Sequence, residues 1–360
     1  MMRRRMGYGM AGAGMLLLVP QPVSAHEKWF VADPNRYPIE WGRLLSWQAI
    51  GAILIAVSAV AGALLIERWY RSWRTQRGVE PVYALAGVGE EQLRRVYAFL
   101  PLLLAIHTAV PLLVNGFHLA LFAPNLAMRT NLLSGILALA EILIALALAY
   151  GVFTSYAALG LIGLFVAALV LGPFVGIPAR FVPEHVDFVG IAVFLAIIGR
   201  GPFSGDAVLG RRTHPHPELV KYAIPALRWG VGLSFAILAF TEKLLNPTIA
   251  KAFLAQKINF NLGSPFGISD ALFIYGAGVV ELTFGLLLIS GALPRLVIIG
   301  LWVPSNLTLP YLGWVELAGH LPIYAVLLTL LILGSSDRQT VHHTASILAE
   351  ESGGEVTSSA

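Results

Sequence analysis

The feature that most constrains this chain is a series of apolar runs, most of them close to the ~20 residues a helix needs to cross a bilayer. They cover about residues 45–66, 96–123, 130–150, 153–175, 184–199, 222–245, 270–290, 295–313 and 319–334. That predicts an all-α polytopic membrane protein of about nine spans, the fifth and ninth short. None of the runs looks interrupted in the way that marks the half-helix ion sites of transporters.

Composition enters where it excludes. The 360 residues are 57% apolar and 12% charged, roughly half the charged share of a soluble domain. There are no cysteines, which removes disulfides, iron–sulfur clusters and thiolate metal sites. The net charge of +4 is small for 360 residues and comes from loop arginines, so no nucleic acid is expected as a partner. No phosphate loop, nucleophile elbow or zinc-protease motif occurs.

Residues 1–25 read as a signal peptide. Arg3 to Arg5 form the charged start, Met10 to Val19 the apolar run, and Val23-Ser24-Ala25 the small-residue cleavage site. Cleavage leaves His26 at a mature N-terminus outside the cytoplasm, followed by a short extracytoplasmic segment (26–44) whose Trp29, Phe30, Trp41 and Trp47 read as interfacial aromatics. With that end outside, the inside loops carry Arg68, Arg71, Arg74, Arg77, Arg94, Arg95, Arg200, Arg211, Arg212, Lys221, Arg295 and Arg338. The outside segments carry fewer: Lys28, Arg36, Arg43, Arg129, Arg180, Lys251 and Lys257. The positive-inside rule therefore agrees with the signal. The expected location is the inner (cytoplasmic) membrane, with the C-terminus in the cytoplasm.

Past the first helix and its basic loop (45–95), two segments look like copies of one four-helix unit, 96–201 and 222–335, joined by a cytoplasmic linker at 202–221. FHLALFAP (117–124) aligns with FTEKLLNP (240–247) without a gap. Glu141 stands ten residues before Gly151, as Glu281 does before Gly291; His185 stands fourteen before Gly199, as His320 does before Gly334. An even number of helices separates the copies, so both insert the same way. The tail, 336–360, is polar and expected to be disordered.

At ~1.5 Å per residue, Glu141 lies about 15 Å above Gly151, and His185 and His118 about 21 Å above the same level. Each unit thus gathers ionisable groups in the outer half of the membrane: His118, Glu141 and His185 in the first, Glu242, Lys243, Glu281 and His320 in the second. Such groups cost ~2.5–3.5 kcal/mol each to insert and persist when they face partners. They either pair as structural glue or form a ligand or proton-transfer site. His107 reads as a packed polar residue, and Glu184 and Asp187 as solvated near the outer surface, where either could extend the first site. TIAKAFLAQKINFNLG (248–263) is amphipathic and reads as a lid on that surface.

The second unit resembles the DoxX/DoxD family of small four-helix membrane proteins, through ALRWGVGLSFAILAFTEKLLNP (226–247), GVVELTFGLLLISGALPRL (278–296) and ELAGHLPIYAVLLTLLILG (316–334). Lys243, Glu281 and Arg295 match its pattern; the first unit is similar but has Ala120 in place of the Lys. The resemblance implies a membrane subunit of a quinone-linked oxidoreductase, with quinone as cofactor and an extracytoplasmic or membrane redox partner. On that reading Glu281 would exchange the proton and Lys243 or His320 would hydrogen-bond a quinone carbonyl, with Glu141 the matching acid of the first unit and His118, His185 and Glu242 contacting the cofactor. A non-enzymatic anchor or assembly protein is a second reading. A haem or metal carrier through His118 and His185 is a third.

Overall fold

The computed structural model describes residues 27–31, 33–77, 90–211, 217–255, 261, 263–307, 309–334 and 338–351. Among them the chain is helical, with one isolated β-bridge, Ala120 to Ala127, and no strand. Eight helices are long and apolar enough to cross a membrane. These surfaces fit a lipid bilayer.

The long helices are α1 (Trp47–Arg77), α2 (Leu100–Phe117), α3 (Leu132–Tyr150), α4 (Thr154–Val175), α5 (Val186–Ile198) and α6 (Ala223–Leu238). The wide turn Ala239–Leu244 and the short α7 (Pro247–Leu254) follow, then α8 (Asp270–Ser290), α9 (Pro294–Leu307), α10 (Leu309–Leu333) and α11 (Arg338–Glu351). Helices α2 to α5 pack in a ring in chain order, and α6, α8, α9 and α10 pack in a second ring. The rings meet along α5 against α6 and α2 against α10, while α1 lies on α8. Only 17% of the most apolar stretch of α1 is buried, against 72% of that in Ala179–Ile198. So α1 is peripheral, and the segment leading into α5 is central.

Small residues set the two tightest approaches. A Cβ on Gly190 of α5 would lie 2.5 Å from the Ala226 carbonyl oxygen of α6. One on Gly232 of α6 would lie 2.7 Å from the Gly285 carbonyl oxygen of α8. In hydrocarbon, where apolar burial drives helix pairing weakly, such backbone contact supplies dispersion.

The turns after α3 and α8 are built alike. Gly151 (φ 65°) and Gly291 (φ 68°) end the helices in the left-handed region, and Phe153 (φ 53°) and Leu293 (φ 44°) follow in the same region. A carboxylate from elsewhere caps each turn. Asp206 accepts the backbone N–H groups of Phe153 (2.7 Å) and Thr154 (2.9 Å), and Glu67 of α1 accepts that of Leu293 (3.1 Å).

Several expectations change. The second run is helical only to Phe117; residues 118–131 form an irregular loop that packs Leu121, Phe122, Ala123 and Leu126 inside. The run at 295–313 contains α9, which at 14 residues is not among the eight span-length helices. Interruptions do occur: Gly313 (φ 70°) kinks α10, and Ala239–Leu244 widens to a π turn inside the span Glu218–Leu244. The tail is helical over Arg338–Glu351, with Ala345, Leu348 and Ala349 buried; its apolar spacing was outweighed by its polar average. The expected signal, residues 1–25, and His26 after it lie outside the described residues. Of the expected lid, Pro247–Leu254 is a helix that buries Ile249, Ala250 and Leu254.

Candidate functional site

The site starts where α6 widens. Hydrogen bonding to the fifth residue back, closed by the Leu245 N–H on the Phe240 carbonyl at 2.8 Å, is characteristic of π turns, which recur at functional positions. The consecutive residues Thr241, Glu242 and Lys243 are all buried there. Asn246 and Pro247 then start α7, the Asn side chain accepting the Ile249 N–H at 3.3 Å and Pro at the first turn.

Onto this end of the bundle folds a short N-terminal arm, residues 27–46. Its first turn, Glu27–Phe30, carries two charges inward. Lys28 is 2% exposed. Its ammonium donates to the Glu184 carboxylate and to Thr241 Oγ1 (3.1 Å), lies 3.7 Å from Glu242 Oε1, and sits 5.1 Å above the Phe181 ring. Thr241 Oγ1 donates in turn to Glu184 Oε1 (3.0 Å). Lys243 binds Glu281 of α8 at 2.9 Å, Glu27 at 3.2 Å and Glu242 at 3.8 Å. The arm is held further by the Glu40 N–H on the Leu245 carbonyl (2.9 Å) and by Asn246 Nδ2 on the Tyr37 carbonyl (3.0 Å). Trp29 lies so close to Gly319 of α10 that a Cβ there would meet its ring.

These groups form one continuous network, Glu184–Lys28–Glu242–Lys243, ending on both Glu27 and Glu281. Four carboxyls face two ammoniums. If all ionised, the network would hold two more negative charges than positive ones, largely shielded from water, so desolvation favours keeping protons on it or recruiting positive charge. Among the described residues, one carboxyl oxygen of each acid lacks a hydrogen-bond partner. Glu27, outside the spans, shows the effect: burial raises its carboxyl to about 8, against the pull of Lys243, and the neighbouring Glu242 and Glu281 push the same way as burial.

Of the sequence-predicted residues, the fold brings Lys243, Glu242 and Glu281 together, and leaves His320 in another group. His320 Nδ1 lies 3.3 Å from Glu316 Oε1, one turn away on α10, and its ring stands edge-on to Tyr324. In the first ring of helices the three groups separate. Glu141 is fully buried and accepts the Phe122 backbone N–H at 2.6 Å. Asn115 Nδ2 donates to the Phe122 carbonyl at 2.8 Å. Together they satisfy backbone that the irregular loop exposes at membrane depth. His185 is buried with its ring stacked on Phe122 and against Phe188. His118 is exposed, with Nδ1 on the carbonyl of Val114 at 2.7 Å, because α2 ends just before it and the ring folds back on its own last turn. His107 bonds the Leu103 carbonyl the same way, as a packed polar residue does. Among the described residues no group of three or more His, Asp or Glu is arranged to hold a metal.

Glu184 and Asp187, expected to be solvated, are 1% and 4% exposed. The arm and the wide turn cover Glu184. Sequence reasoning missed Glu27, Lys28, Glu184 and Thr241. The signal available was the charge pair Glu27-Lys28 beside Trp29, in a segment otherwise read as interfacial.

No family model, curated protein or solved structure matches the chain.

Proposed function

We propose that the chain is the membrane subunit of a quinone-linked redox complex, of the DoxX/DoxD kind, and that Glu281 exchanges the proton. The observation that carries this is Glu281 itself. One of its oxygens binds Lys243 at 2.9 Å, and the other lacks a hydrogen-bond partner among the described residues. Its side chain is 28% exposed, against 2% for Glu242 and none for Glu184. It is thus the most accessible acid of the network, and a carboxyl held beside an ammonium and still reachable from outside is placed for general acid–base work.

Lys243 already lies within 3.2 Å of two carboxylates, Glu281 and Glu27, with Glu242 at 3.8 Å. A quinone carbonyl would bind it by taking the place of Glu27, the one partner from the arm. His320, with Glu316 and Tyr324, would contact the ring from a separate position. The quinone would accept the protons, and electrons would arrive from a partner protein. The like-built turns at Gly151 and Gly291 support two copies of one four-helix unit. The signal at 1–25, a mature N-terminus outside and the inner membrane as location belong to the same reading.

Two measurements test it. Detergent-purified protein should yield quinone in a solvent extract, with a reduced-minus-oxidised absorbance change confined to the ultraviolet. Glu281→Gln should abolish quinone-linked turnover in membranes at unchanged protein level; unaltered turnover would remove the role given to Glu281. One observation favours a second reading, a non-enzymatic anchor: both ammoniums are fully engaged within the chain. That reading predicts no quinone in the extract and a soluble partner that co-purifies.

A further inference from the structure

The surroundings of Lys28 differ from those of an ordinary ion pair. An alkylammonium offers three N–H donors. Two acceptors meet them at hydrogen-bond distance, a Glu184 oxygen and Thr241 Oγ1 at 3.1 Å, and Glu242 Oε1 stands just beyond it at 3.7 Å as a nearby charge. The Phe181 ring, 5.1 Å away, adds the attraction of an aromatic face for a cation. The methylene stem is buried with the head, since the whole residue is 2% exposed. A lysine able to reach water would keep its head there; this one does not.

The pocket also holds more negative charge than its occupant neutralises. Glu184 and Glu242 are 1% and 2% exposed, and Glu184 Oε2 and Glu242 Oε1 lack hydrogen-bond partners among the described residues. The walls come from the 3-10 turn Ala179–His185 and the wide turn after α6. The 3-10 turn is braced without Lys28, to the wide turn by Thr241 Oγ1 on the Glu184 carboxylate and to α6 by Ser234 Oγ on the Glu184 carbonyl. The occupant comes from a four-residue turn at the start of the arm. Walls and occupant are therefore separable.

We propose that Phe181, Glu184, Thr241 and Glu242 form a binding site for a primary alkylammonium group, filled by Lys28 of the same chain, so that the arm is a tethered plug over the Lys243–Glu281 pair. With the plug seated, Lys28 lies between Glu184 and Glu242, and Glu27 lies on Lys243. With it withdrawn, the site takes an external amine, and Lys243 loses its Glu27 partner. This goes beyond the redox reading and does not depend on it.

The test uses the full chain in detergent and its thermal unfolding. Lys28→Met keeps most of the stem and removes the ammonium, leaving room for the ammonium ion. Lys28→Ala also empties the stem and leaves room for n-butylammonium. Both variants should melt below the wild type. Ammonium chloride should raise the melting temperature of Lys28→Met saturably, and n-butylammonium should do so for Lys28→Ala. Tetramethylammonium, which has no N–H, should do neither at equal ionic strength. The wild type, already filled, should respond to none of them. An equal response to all three cations, or a wild type that responds as the variants do, would overturn the proposal. So would failure of both variants to give folded protein when solubilised with the matching amine present.

Discussion

At the scale of single residues, the same side chain does different work according to what stands opposite it. Glu141 and Glu281 occupy matching positions, ten residues before a glycine turn. Glu141 meets a backbone N–H of an irregular loop, at 2.6 Å, and stabilises that loop. Glu281 meets the ammonium of Lys243. The first arrangement needs a hydrogen-bond acceptor; the second changes with protonation. Glu27 makes the protonation measurable. Its carboxyl is raised from 4.5 to about 8, so across that window the folded chain holds a proton that the unfolded chain lacks. Its stabilising contribution is complete below the unfolded value and disappears as pH rises through the folded one. The melting temperature should therefore fall between about pH 5 and about pH 9, and fall less steeply in Glu27→Gln, which cannot titrate. Equal slopes would rule out Glu27 as the source.

At the scale of elements, glycine positions decide how closely helices approach. The contact of α6 with α8 rests on Gly232 and Gly285; a Cβ on Gly285 would lie 2.6 Å from the Gly232 carbonyl oxygen. Gly285→Leu should cost about 1–3 kcal/mol or more, because backbone rather than a flexible side chain has to yield. Gly135→Leu in α3 should cost little, because nothing lies within 4 Å of an added Cβ. Comparing the two melting temperatures checks this, and a Gly285→Leu variant as stable as Gly135→Leu would show that the helices do not pack this closely. The wide turn at Ala239–Leu244 is the other element that matters. A regular continuation of α6 would carry Thr241, Glu242 and Lys243 to different directions from those that meet Glu184, Lys28 and Glu281.

At the scale of the whole molecule, two rings of four helices share a central seam, and charge is distributed unequally between the ends. The basic loops that argue for the cytoplasmic face lie at the end opposite the arm. Because the chain has no cysteine, orientation can be read with single replacements. Phe266 is 84% exposed at the end with the arm, and Val208 87% exposed at the other. In intact cells a membrane-impermeant thiol reagent should label Phe266→Cys and leave Val208→Cys unlabelled until the membrane is opened. The reverse result would invert the orientation expected from the loop arginines.

The sequence by itself determined the class of fold, because hydrophobic length is a local property: a run of ~20 apolar residues has few solutions in a bilayer. It also marked Lys243, Glu242 and Glu281, since a charge inside such a run stands out against its neighbours. The tertiary structure alone decided which charges meet. Glu27 and Lys28 lie more than 150 residues from Glu184 and more than 200 from Thr241 and Glu242, and no periodicity links them. Glu184 looked solvated until the arm covered it, and His118 looked central until α2 ended just before it. Pairing across such separations depends on where helices stop and how irregular segments fold back. Those outcomes are set by packing and backbone hydrogen bonding over the whole molecule, which a run of residues does not carry.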